Sequence, residues 1–252
     1  MRALILAESI KLRRHVAVWF AVGAPVMAVG LFLIVLFGQA TPAKMSPDAI
    51  WRVLSRAGWS WWLMVFLPLL TVIEAAALAN LEHDGRQWKQ LFTSPVARWR
   101  IYGVKLLFCA GLGLVATVVF CAGLIGDVLI LNLFVRLDLA MHIPWVDLVA
   151  QIGRAFLACL PMVALQSWIS LRYRGFVVPV GGGLALMLIG LFLAPIRAFQ
   201  IRYWYPWMLP NFTVLRPDSR LEDIQIAVAV GCVLGLLAGV VVCWDLARRE
   251  NG

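Results

Sequence analysis

The chain has 252 residues, 63% of them hydrophobic and only 14% charged, with a formal net charge of +9. Soluble domains carry roughly 45–50% apolar and about 25% charged residues, and a globule of this size has no interior large enough for such an apolar excess. Composition therefore excludes a soluble enzyme and a disordered chain. A bilayer admits only helices or closed barrels. The long unbroken apolar runs lack the period-two alternation of a barrel, which leaves an all-α integral membrane protein.

In chain order, residues 2–14 predict an interfacial amphipathic helix on the inner membrane surface. Lys11, Arg13 and Arg14 follow the short apolar stretch 3–7, the reverse of a cleavable signal peptide. A helix needs about 20 apolar residues to cross a bilayer. Six transmembrane segments meet that length: 16–37, 59–81, 101–126, 148–171, 176–195 and 224–244. Residues 128–135 either extend the third or fold back as a separate helix. Arg154, a charge near the start of the fourth, points to a later start for that helix. The loop 196–223 holds Tyr203-Trp204-Tyr205-Pro206-Trp207, which reads as an interfacial anchor or as a re-entrant helical turn. Residues 1–252 form a single transmembrane domain.

Six spans put both termini on one side of the membrane. That side carries thirteen Lys and Arg, against nine on the other over longer loops, so the N and C termini are expected in the cytoplasm. The basic residues flank spans, and no basic run exceeds Arg13-Arg14; nucleic acid is not expected as a partner. Cys109, Cys121, Cys159, Cys232 and Cys243 lie singly in apolar runs and read as small buried hydrophobes.

There is no H-E-x-x-H, G-x-S-x-G, C-x-x-C or G-x-x-x-x-G-K-[ST]. His15, His83 and His142 are far apart, and no metal-ligand spacing appears. No catalytic, cofactor or metal residue is assigned. Glu74 is the acidic residue expected well inside a span, where carboxylates are costly and usually functional. It either pairs with a polar group on a neighbouring helix or lines a pathway, and Ala75-Ala76-Ala77 lets another helix come close beside it. The loop 82–100 follows. Trp88, Leu91 and Phe92 fall on one helical face, Asp84 is placed as a cap, and Ser94-Pro95 ends one helix and starts the next. This short amphipathic helix either lies on the membrane or docks in a groove of a soluble partner.

Glu74, Glu82-His83-Asp84, Trp88-Lys89-Gln90-Leu91, Ser94-Pro95-Val96-Ala97-Arg98, Tyr102 and Lys105 resemble the signature region of the ABC-2 permease superfamily. Within it the chain is most similar to the branch that includes lantibiotic-immunity permeases, as is the opening Glu8-Ser9-Ile10-Lys11-Leu12-Arg13-Arg14. The resemblance implies an ATP-driven exporter of two permeases, identical or sister chains, and two P-loop ATPase subunits in a bacterial inner membrane. ATP and Mg would be bound by the ATPase, with no cofactor in this chain. The helix around Trp88–Phe92 would be the coupling helix, contacting the ATPase through Asp84, Arg86, Trp88, Lys89, Leu91, Phe92 and Arg98. Residues 1–15 would be the elbow helix and 196–223 the extracellular re-entrant region.

The cargo expected of such an exporter is amphipathic or hydrophobic, for example a peptide antibiotic in self-immunity. A non-transporting scaffold or sensor that recruits another soluble protein is the alternative. A passive channel is disfavoured by sparse polar residues in the spans, and an intramembrane enzyme has no motif to support it.

Overall fold

The structure is a computed structural model describing residues 2–12, 15–38, 46–84, 97–135, 139–173, 175–193, 204–214 and 220–249. The helices are α1 (Arg2–Leu12), α2 (Val16–Gly38), α3 (Pro47–Trp61), α4 (Leu67–Asp84), α5 (Arg98–Val135), α6 (Trp145–Arg172), α7 (Val177–Leu193), α8 (Leu209–Phe212) and α9 (Leu221–Arg249). No strand occurs among the described residues. Among the described residues, five stretches are long and apolar enough to cross a membrane: Val16–Gly38, Pro47–Asn80, Trp99–Phe134, Trp145–Arg172 and Leu221–Arg248. The expected fifth span is the shorter apolar helix Val177–Leu193. Its 17 residues reach about 26 Å, against a hydrocarbon core of about 30 Å.

Successive long helices run in alternate directions, so the bundle has a near end, which carries α1 and the end of α9, and a far end. The second and third spans are longer than the sequence reading had them. Pro47 begins a rod that continues through a π-helical turn, Trp62–Phe66, into α4. Its start is well encoded. Ser46 accepts a hydrogen bond from the Ala49 amide, Pro47 takes the first helical position and Asp48 sits in the first turn. The apolar face of α3, with Ile50, Trp51 and Trp59, is buried.

The third rod, α5, has 38 residues, about 57 Å. Residues 128–135 extend it and do not fold back. The stretch 127–147, expected as a long outer loop, is therefore mostly ordered helix: α5 continues to Val135, and a 3-10 turn, Leu139–His142, precedes α6. That turn is pinned from two sides. The Trp51 indole donates to the Leu139 carbonyl at 2.8 Å, and the Leu139 amide donates to Asn132 Oδ1 at 3.0 Å. The fourth span does not start late, because α6 begins at Trp145 and Arg154 lies well inside it.

The α3–α4 rod is the most enclosed of the spans, and α2 and α9 are the outermost. Trp62 stacks on Phe120 of α5 at 4.7 Å, and Trp59 meets the same ring edge-on at 5.5 Å. The Trp62 indole donates to Thr117 Oγ1 at 3.3 Å. Trp59 and Trp62 are three residues apart and share a helical face by ordinary spacing, and the π turn begins at Trp62. On the other side α9 lies along α6 through Gly231 and Gly235. A Cβ on Gly231 would stand 2.5 Å from Ala158 Cα, so only glycine permits this approach. The turn from α6 into α7 uses Gly175 at φ +94°.

At the near end, Ala79, Tyr102, Leu171, Val242 and Leu246 form a small core. The Trp168 indole donates to Asp245 at 2.9 Å, and Arg172 pairs with Asp245 at 3.6 Å while covering the Trp168 ring. In α1, Lys11 pairs with Glu8 at 3.3 Å, and Leu6 and Ile10 face outward one turn apart. The imidazole of His15 caps α2 by accepting from the Ala17 amide at 3.2 Å. Partial burial holds this imidazole below its ordinary range, which favours the neutral form that can accept.

Candidate functional site

Three places are candidates for a functional role: the buried Glu74, the near-end connection between α4 and α5, and a cavity at the far end. Glu74 is fully buried in α4, and neither carboxylate oxygen has a hydrogen-bond partner. It lies within electrostatic reach of the Cys109 thiol of α5, which also neighbours Ser167 of α6. The hydroxyls of Ser167 and Ser170 are buried and unpartnered too. Gln166, on the same helix, donates from Nε2 to the Pro179 carbonyl of α7 at 3.0 Å and leaves its own Oε1 unpartnered. Cys109 thus links Glu74 of α4 to Ser167 of α6, and no cation stands against Glu74 among the described contacts.

A second carboxylate lies inside a long helix. Asp127 was expected just past the end of span three, but α5 carries it onward as a buried residue with Oδ2 unpartnered. The sequence reading missed it because it ended the span at the preceding glycine. The apolar run Val128-Leu129-Ile130-Leu131 beyond it was the available signal.

The expected partner-docking residues flank or fall in the near-end connection. Asp84 is the last residue of α4 and Arg98 the first of α5. Arg86, Trp88, Lys89, Leu91 and Phe92 lie outside the described residues. The five cysteines are free thiols.

At the far end, α3, the 3-10 turn and the start of α6 enclose a cavity of about 350 Å³. Arg52, Arg56 and Arg154 line it, with Trp51 and Trp59. From the sequence these arginines count toward topology, and Arg154 also as a sign of a late start for the fourth span. The segment Trp204–Val214 sits next to it. Trp204 is exposed, whereas Trp207, Leu209, Asn211 and Thr213 are buried. Gln151 of α6 donates to Thr213 Oγ1 at 2.9 Å, and the Tyr205 hydroxyl donates to the Leu186 carbonyl of α7. Burial holds the Tyr205 phenol above its ordinary range. The aromatic run is therefore divided between an outward ring and inward ones.

The family model for ABC-2 family transporter proteins matches residues 4–194, from α1 through α7 and about three quarters of the chain. The chain belongs to this family. No curated protein and no solved structure matches it. As an ABC-2 family member the chain is a multi-pass membrane component of an ABC transporter, not its catalytic ATPase domain. Membership implies partnership with an ATPase subunit.

Proposed function

We propose that the chain is the permease subunit of an ATP-driven exporter of amphipathic or hydrophobic substrate. In this reading α7 completes a set of six spans, and both termini face the cytoplasm of a bacterial inner membrane. Two such chains, or this chain and a sister, assemble with two ATPase subunits that bind ATP and Mg. The family match over residues 4–194, laid on a bundle of long apolar helices, is the observation that carries the proposal.

The segment joining α4 to α5 is the proposed contact with the ATPase. Both helices that flank it are packed along the bundle, so a push at Asp84 or Arg98 is delivered to the rods that carry Glu74 and Asp127. Trp88, Leu91 and Phe92 supply aromatic and aliphatic anchors for a groove. Arg86, Lys89 and Arg98 steer docking more than they add affinity. Helix α1 acts as an elbow at the membrane surface, and the buried turn Leu209–Phe212 enters the bundle from outside as a re-entrant element. Similarity to lantibiotic-immunity permeases makes a membrane-active peptide one cargo class to test, by asking whether the chain protects cells only when its ATPase is present.

The docking assignment is tested by Trp88→Ala combined with Phe92→Ala. The variant should lose its ATPase in mild-detergent co-purification while its own elution profile stays unchanged. Undiminished recovery of the ATPase would overturn the assignment.

A further inference from the structure

The far end of the bundle is polar inside and apolar outside, the reverse of a soluble protein. On α3, Asp48, Arg52, Ser55, Arg56 and Trp59 fall on one helical stripe, and all five line the far-end cavity. On α6, Asp147, Gln151 and Arg154 make a matching stripe that lines the same cavity. The outer surface at this end is hydrocarbon. Leu133 and Phe134 of α5, Met141 of the 3-10 turn, and Val146 and Val149 of α6 are between 66% and 87% exposed. In water these side chains would form an uncovered apolar patch. In a bilayer they face lipid, and the polar side chains that lipid cannot hold turn to the interior.

Exposure along the cavity walls grades with depth. Asp48, Arg52, His142 and Asp147 are exposed at the mouth, Ser55, Arg56 and Arg154 are half-buried, and Trp59 and Gln151 are buried at the floor. Trp59 stands twelve residues past Pro47, about 18 Å along its rod, and Arg154 nine past Trp145, about 14 Å along α6. Charged side chains of both signs therefore continue well into the length of two spans. Such groups are tolerated inside a membrane protein where they face a water-filled cavity. The volume, about 350 Å³, is room for roughly ten waters.

We propose that the far-end cavity is an aqueous vestibule sunk into the bilayer, admitting water and small hydrophilic solutes toward Trp59 while lipid covers the outer faces of α5 and α6. Its place in export rests on the permease reading: there the vestibule shortens the hydrocarbon that the polar part of a cargo must cross. Solvent entry itself needs neither ATP nor the ATPase, so the two readings fail separately.

The test uses the full-length chain in phospholipid nanodiscs, where both membrane faces are open and the result is independent of orientation. Ser55→Cys loses no hydrogen bond, since the hydroxyl has no partner. A charged, lipid-insoluble methanethiosulfonate, followed by peptide mass spectrometry, should modify it at least tenfold faster than the buried native thiols Cys109, Cys121 and Cys159. Arg154→Cys should react likewise from α6. A nitroxide on Leu133→Cys or Val149→Cys should be relaxed more strongly by oxygen, which concentrates in lipid, than by a water-soluble nickel chelate. Reaction of both cavity cysteines no faster than the native buried thiols means a dry cavity and overturns the proposal. Stronger relaxation of the Leu133 and Val149 labels by nickel puts this end outside the bilayer and overturns it as well.

Discussion

The closeness of α6 and α9 can be tested with single methyl groups. A Cβ on Gly231 would lie 2.5 Å from Ala158 Cα and 2.8 Å from the Leu157 carbonyl oxygen. Both obstacles are backbone, so no rotamer change relieves them and the helices must separate by about 1 Å to reach ordinary contact. Overpacking of this kind costs about 1–3 kcal/mol, and an immovable obstacle places Gly231→Ala at the upper end. Better helix propensity returns up to about 1 kcal/mol, for a net loss of about 2 kcal/mol. For a chain of this length that lowers the thermal midpoint by about 4–8 °C. Gly235→Ala meets Leu160 Cβ and the Pro161 nitrogen and should behave alike. The double variant should lose less than twice as much, because one displacement opens both contacts. Gly239, the next glycine in the same four-residue repeat, has nothing within 4 Å. Gly239→Ala should hold or raise the midpoint. Detergent-solubilised protein, heated in steps and followed by fluorescence-detected size exclusion, gives the comparison. Equal midpoints for Gly231→Ala and Gly239→Ala would refute the close approach.

Glu74→Gln should leave the midpoint unchanged or raised, since no hydrogen bond is lost, and should lower transport with ATPase binding intact; a drop of several degrees would show that the carboxylate holds helices together. Asp127→Asn replaces a buried acid whose Oδ2 has no partner by a neutral amide of the same shape and removes the cost of burying a charge, so it should leave the fold as stable or more so; a loss of stability would mean the carboxylate is needed as an acceptor. The depressed imidazole of His15 implies that the unfolded chain binds a proton more readily than the folded one. Its contribution is full above pH 6.5 and lost as pH falls through the lower folded value. The protection factor of the Ala17 amide, the factor by which it exchanges more slowly than an unstructured amide at the same pH, should therefore fall on acidification, and His15→Asn, which keeps an acceptor, should flatten that dependence.

Hydropathy made the spans legible because it needs no partner information: Val16–Gly38 and Leu221–Arg249 fall where the apolar runs do. It failed where polar residues occur inside helices. Asp127 looked like a terminator, yet its helix runs on to Val135 because the following residues are apolar and the side chain is buried. The start of the second rod escaped for the same reason. Asp48, Arg52 and Arg56 dilute the hydropathy of α3, although Ile50, Trp51, Leu54 and Trp59 trace a helical stripe. Glu74 was found because one acid in an apolar run stands out. The far-end cavity was not, because Arg154 and Arg52 are about a hundred positions apart and only packing makes them neighbours.

The same cavity bears on the proposed orientation. Thirteen cationic residues on the termini side against nine on the other is a shallow bias. The positive-inside rule weighs charges whose only job is to resist translocation. Arg52, Arg56 and Arg154 are drawn into one cavity, where local partners set their cost. Setting them aside leaves thirteen against six, so the proposed orientation rests on charges that no cavity holds in place.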